Sequence, residues 1–280
     1  MAGTTGVVQA AMVGGSYNTP VGIVTGGTWG EDTQAVVRTG IGGVGTWKAG
    51  AALPTVSGLT YFPVDTNALT DEVCRATYPN GTHSSCYLKV GDSEKSIAGT
   101  AWYVNRTDIS CEVDGAVQMT QDLLLFGKPT ISTGVEVPTT PKTVYTWYNG
   151  ECQVGGANKG IRAFKLSVDN AYQAFYSMNS KTDGSYRYPE YGVQGAEKVE
   201  LSLQFLAWPT MDLSDDVITT LGTVVLRMVN DATSAKTLTV TVATPKIISW
   251  QSGVVDNDTL LTYDAVLRLD YNSGVTITNA

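Results

Sequence analysis

The chain has 280 residues, 42% of them hydrophobic, and a formal net charge of −8 from 18 basic and 26 acidic side chains. No run of 18 or more apolar residues is present, which excludes an ordinary membrane-spanning helix. Neither half is basic and no basic cluster occurs, which disfavours tight binding to a nucleic-acid backbone.

The start, "MAGTTGVVQ", lacks the basic flank and apolar block of a secretory signal, so a cytoplasmic site of synthesis is expected. Gly42, Gly43 and Gly45 lead into a strand rather than a helix, so they do not read as a phosphate cradle. Thr70 is a helix N-cap with Asp71 and Glu72 in the first turn, predicting a short helix over Thr70–Ala76. Cys74 and Cys86 bracket a turn-rich excursion and could close a disulfide, which a cytoplasmic chain disfavours. His83, the only histidine, sits in the turn "NGTHSS" without partners for acyl-transfer or metal chemistry.

"GTAWYVN", "ISCEVDG" and "DLLLFG" read as strands, with Cys111 as a buried apolar residue. Residues 129–153, with Pro129, Pro138 and Pro141, read as an extended linker that also holds Cys152. "FKLSV" then sets Phe164, Leu166 and Val168 on one face. The stretch 177–192 is a long polar loop carrying Tyr186, Tyr188 and Tyr191. Loops of that length are usually functional, and tyrosine is a favoured interface residue, so an intersubunit contact arm is expected. "KVELSLQF" places Val199, Leu201, Leu203 and Phe205 inward. Ser214 caps a second short helix, over Ser214–Leu221, with Asp215 and Asp216 behind it. "TLTVTV" and "YDAVLRLDY" close the chain with the same period-two alternation. Asp212, Asp215 and Asp216 are accounted for by capping, and "VDNDT" at 255–259 reads as a turn rather than a cation loop. No catalytic, cofactor or metal site is expected.

The two halves echo one another in order. "LTDEVCR" at 69–75 answers "LSDDVIT" at 213–219. Val13–Gly15 recurs at Val154–Gly156, Leu53–Thr55 at Trp208–Thr210, Leu88 at Leu226, Asp108–Cys111 at Ile247–Trp250, and Met119–Asp122 at Leu261–Asp264. Six weak echoes in register predict an internal duplication. The expected organisation is a first domain at 1–128, a linker at 129–153 and a second domain at 154–280. Each domain is expected to be an antiparallel β-sandwich with one short α-helix, and the fold class mainly β.

"GIRAFKLSVDNAYQAF", a long loop, then "AEKVELSLQFLAWPT", a short helix and closing strands resemble the tail tube (major tail) proteins of long-tailed bacteriophages. The resemblance covers 157–280, and the first half only through the repeat. It implies β-sandwiches whose sheets join edge to edge around a ring, with rings stacked into a hollow tube that conducts DNA. Members usually form rings of six single-domain chains, so a duplicated chain implies trimeric, pseudo-hexameric rings with a net acidic channel. The implied partners are copies of the chain itself, tail tip and tail terminator proteins, and a tape measure protein and genomic DNA that pass through the lumen without sequence-specific binding. No membrane is implied. The implied location is the virion tail, after assembly in the host cytoplasm. A cell-surface or carbohydrate-binding β-sandwich adhesin is the alternative, and a carboxylate-based enzyme comes third.

Overall fold

The computed structural model describes residues 5–12, 22–37, 47–64, 82–83, 86–90, 95–99, 102–133, 143–177, 187–206, 221–230, 236–254, 261–269 and 274–279. Both predicted helices fall largely outside these segments, including Thr70 and Ser214. Leu221, at the end of the second, is buried but not helical. Among the described residues there is no α-helix, and the fold is mainly β.

The first half carries β1 (Thr5–Met12), β2 (Gly22–Val37), β3 (Trp47–Pro63), β4 (Thr82–His83), β5 (Cys86–Val90), β6 (Lys95–Gly99), β7 (Trp102–Glu112), β8 (Gln118–Leu125) and β9 (Thr130–Thr133). The second carries β10 (Tyr145–Val154), β11 (Ala157–Asn158), β12 (Ile161–Asp169), β13 (Gln173–Phe175), β14 (Tyr191–Val193), β15 (Lys198–Phe205), β16 (Val224–Asn230), β17 (Thr237–Val242), β18 (Lys246–Val254), β19 (Leu261–Leu269) and β20 (Val275–Asn279).

Alternation decides the faces. Along β15 the burial runs strictly inward at Val199, Leu201, Leu203 and Phe205, and outward at the charged and amide residues between them. β17 buries Leu238, Val240 and Val242 and turns its threonines out. β-Branched and aromatic side chains suit such half-buried pleated surfaces. The β10–β11 hairpin turns on Gly155 and Gly156, both at positive φ, the geometry a two-residue turn between twisted strands requires.

The strand order is the informative part. β2, β3, β8 and β7 lie side by side, followed directly by β12, β15, β19 and β18. All these pairs are antiparallel. β1 meets β2 at Trp29 and Thr28, then turns to pair with β5, which continues through β6 to β9. A separate sheet runs β11, β10, β16, β17, β20. A single cluster of buried side chains spans both sheets, from Leu166 and Leu201 on the large one to Leu226 and Val240 on the smaller one. Pairing also continues across the middle of the chain, where the second-half strand β12 lies against the first-half strand β7. Within the 129–153 stretch read as linker, β9 pairs with β6 and β10 forms ladders with β11 and β16.

One polar network is embedded in the first half. Tyr61 Oη donates to Gln121 Oε1 at 2.8 Å, and Gln121 Nε2 donates to Thr107 Oγ1 at 3.1 Å. All three side chains are fully buried, so each polar group depends on such partners.

Candidate assembly interface

The junction of β7 with β12 is built from two chemically different faces. On the core face Ile109 lies opposite Leu166, Cys111 opposite Phe164 and Thr107 opposite Val168, and all six are buried. On the outer face Arg106 binds Asp108 with Nε at 3.2 Å and Nη2 at 3.0 Å, while Lys165 approaches the same carboxylate at 3.5 Å. Partial burial raises the Asp108 pKa, but hydrogen bonds from Ser167 and Arg106, with the charges of Arg106 and Lys165, outweigh it and leave the carboxyl below its usual range. The hydrogen bond to Asp108 raises the Arg106 pKa in turn.

Directly paired residues share a face, so the registers define polar rows across the outer surface of the large sheet. One row runs Thr60, Thr120, Asp108, Ser167, Glu200, Arg268 and Lys246, crossing from β3 to β18. A second joins Asp122, Arg106, Asp169 and Lys198. Hydroxyls, carboxylates and cations are interleaved along both rows. A groove of about 780 Å³ opens on this face over Glu112, Asp114, Lys165, Gln204 and Asp264. Among the described residues no group of three or more potential metal ligands occurs.

Among the described residues the outer flank of β18 has no pairing strand, and that of β2 is paired with β1 only at Thr28 and Trp29. β18 pairs only with β19, and among the described residues it is the longest strand at the end of a sheet. Its Ile248 and Trp250 are each 44% exposed. At the opposite end Ile23 on β2 is 49% exposed, and Val24 packs only partly against the core. By contrast Ile109 and Cys111 on β7 are covered, because β12 occupies their flank.

Of the predicted contact arm, Tyr186 lies outside the described residues. Tyr188 and Tyr191 are described, and they do different things. Tyr191 stacks across the β13–β14 hairpin on Phe175, with ring centroids 5.6 Å apart and an interplanar angle of 3°, and stays half-exposed. Tyr188 Oη donates to Glu31 Oε1 at 3.3 Å, and Arg187 Nε donates to the Gly50 carbonyl at 3.2 Å. The base of the arm is therefore tied to β2 and β3 of the first half. Gly192 lets the hairpin lie close against Phe126, since a Cβ there would overlap that ring. Phe126, Tyr103 and Tyr172 form a small aromatic cluster beneath it, and burial, with Tyr103 and Glu197 nearby, pushes the Tyr172 hydroxyl up to about 12.

Sequence reasoning missed the open edges. Trp250 was visible only as the echo of Cys111, and Ile23 stands in a glycine-rich strand without clean alternation. Cys111 and Cys152 are buried free thiols, the latter on β10. No protein-family model matches the chain, and no curated protein is significantly similar to it.

Proposed function

We propose that this chain is the structural unit of a hollow homopolymeric tube, the tail tube of a long-tailed phage, with two tube repeats per chain and three chains per ring. The observation that carries the reading is the β7·β12 junction. It joins two four-strand arrays of matching neighbour order, and among the described residues the outer edges at opposite ends are unpaired on β18 and paired with β1 only at Thr28 and Trp29 on β2.

In this reading β2, β3, β8 and β7 correspond to β12, β15, β19 and β18, and β1, β5, β6 and β9 correspond to β10, β16, β17 and β20. All six pairings within the first set recur in the second. The second repeat then begins with β10 at Tyr145, and each repeat is a sandwich of one array from each set. The junction inside the chain is a template for the junction between chains. Edge-to-edge contact of this kind is heterologous, and it closes into a ring when its rotation divides the circle. Three chains of two repeats fill six places. The interleaved polar rows favour a wet channel lining. Asp108, Asp122, Asp169, Glu200 and Asp264 keep Arg106, Lys165, Lys198 and Arg268 from forming an unbroken cationic surface on which DNA phosphates would stick. The 177–192 stretch, anchored at its base by Tyr188 on Glu31, would reach a neighbouring ring through groups such as the half-exposed Tyr191.

Cryo-electron microscopy of the concentrated protein, with the native mass of a single ring, tests the proposal. Three copies per ring around a polar lumen are expected. Six copies per ring would refute the two-repeat reading. Monomers that bind glycans would favour the adhesin alternative.

A further inference from the structure

We propose that Trp250 is the anchor of the seam between copies, seating the β18 edge on the β2 edge of a second copy of this chain, on the core face beside Val24. The inference rests on the tube reading and adds to it a chemical difference between the two kinds of seam.

On β7, core-facing Ile109 and Cys111 are buried because Leu166 and Phe164 of β12 lie alongside. On β18 no strand among the described residues occupies the corresponding flank. Trp250 pairs with buried Ala265 on β19, so it points to the core face, yet it is half-exposed, with no described strand on its other side. An indole in that position is the largest apolar surface that a neighbouring strand would cover, and buried tryptophans are typical binding hot spots. The β2 edge offers a fitting surface. β1 pairs with it at Thr28 and Trp29, away from the Ile23 end, where Val24, opposite buried Tyr61, lies on the core face that Trp250 would meet and Ile23, opposite Phe62, stands exposed on the outer face of the same edge.

The chain discriminates between the seams by charge. The internal seam sets Arg106, Asp108 and Lys165 in an ion-paired group on its outer face. From Ser249 to Val254, β18 has no charged residue, and neither has β2 from Gly22 to Gly30. The seam between copies is therefore the drier of the two, held by apolar contact and strand pairing, and weakly dependent on salt.

The test compares full-length wild type with Trp250→Asp, Trp250→Phe and Ile23→Asp, by sedimentation and negative-stain imaging, at low and high salt. Circular dichroism and the thermal midpoint of each variant report whether the monomer is intact. Wild type and Trp250→Phe should assemble at both salt concentrations. Trp250→Asp and Ile23→Asp should each be folded monomers, with self-association weakened at least about 30-fold. Because the seam is heterologous, an equal mixture of the two Asp variants should form a one-to-one dimer that grows no further, since each retains one good edge. Failure of the mixture to dimerise would overturn the β18-on-β2 assignment in favour of a like-with-like contact. Normal assembly of Trp250→Asp would overturn the anchor while leaving the tube reading intact. A wild type that stays monomeric throughout would overturn the tube reading itself, and the seam with it.

Discussion

Leu166→Ala is the sharpest test of the internal junction. Leu166 sits in the middle of β12, fully buried, opposite Ile109 of β7 on one side and Leu201 of β15 on the other. Truncation removes three carbons from a site walled by neighbouring strands, which cannot collapse easily. Such Leu→Ala changes cost about 2–5 kcal/mol, and the closed setting puts this one at about 3. For a chain of this size, with a urea slope of about 3 kcal/mol per molar, the midpoint should fall by about 1 M with the slope unchanged. Urea unfolding followed by far-ultraviolet dichroism gives the midpoint. Hydrogen exchange on peptides from β8 and β17 reports the two halves separately. Because the core cluster runs from the first half into the second, both peptides should lose protection together. A loss below about 0.5 kcal/mol would mean that β12 is not wedged between β7 and β15. Loss of protection in β17 alone would mean that the halves fold independently and meet only loosely.

Tyr61→Phe removes the donor to Gln121 Oε1 inside a buried network and should lower stability by about 1–3 kcal/mol, measured by the same urea titration; an unchanged midpoint would show that water or another group satisfies the amide equally well. Burial, then the neighbouring acid, pushes the Cys111 thiol up to about 11 and Cys152 up to about 12, so in native protein at pH 8 these two thiols should resist a reagent that modifies them fully after denaturation, as peptide mapping of the labelled sites would read. The same shifts set a pH dependence. The unfolded thiols ionise near the ordinary value of 9.0 while the folded ones stay protonated, so this contribution is intact below pH 9 and is lost as pH rises toward 11 and 12. Urea midpoints that did not decline across that window, in a comparison with the Cys→Ser variants, would count against the burial of these thiols.

Much of the fold is legible in strands that obey one rule cleanly. β15 and β17 alternate without interruption, as do β12 from Phe164 and β19 from Ala265, and along these stretches the inward positions are the buried ones. β2 and β3 were not legible for a physical reason. Gly26, Gly27 and Gly58 sit at register shifts where the ladder slips, so two of the longest strands carry no continuous period. "GTAWYVN" and "ISCEVDG" read as separate pieces, whereas β7 runs through Arg106 and Thr107 from Trp102 to Glu112, because a bulge after Val104 resets which side chains face inward. The loop at 177–192 was rightly seen as long, but its return through Tyr191–Val193 is a strand, and Tyr188 is held by Glu31. Period reveals which face of a strand is buried and says nothing about its neighbour. The β7·β12 pairing lay beyond pattern reading for that reason, although Cys111, Phe164 and Leu166 were each placed on an inner face.

The same limit explains why edges matter more here than any cluster of reactive side chains. An exposed strand edge invites pairing with another chain, and proteins that stay monomeric blunt theirs with charge, proline, bulges or short length. β18 does this at one end only. Lys246 begins it and a bulge follows Ile247, shifting the register before Ser249. From Ser249 onward the strand has no charge and no proline, and it holds a half-exposed indole. The protected end limits slippage, since a partner strand finds regular pairing positions only beyond the bulge. In the proposed seam the unprotected end would supply the apolar contact. A chain selected to remain alone would gain from a lysine at position 250. The tryptophan there, with the uncharged Gly22–Gly30 stretch of β2 across the array, fits the proposed chain that completes its sheet with a copy of itself.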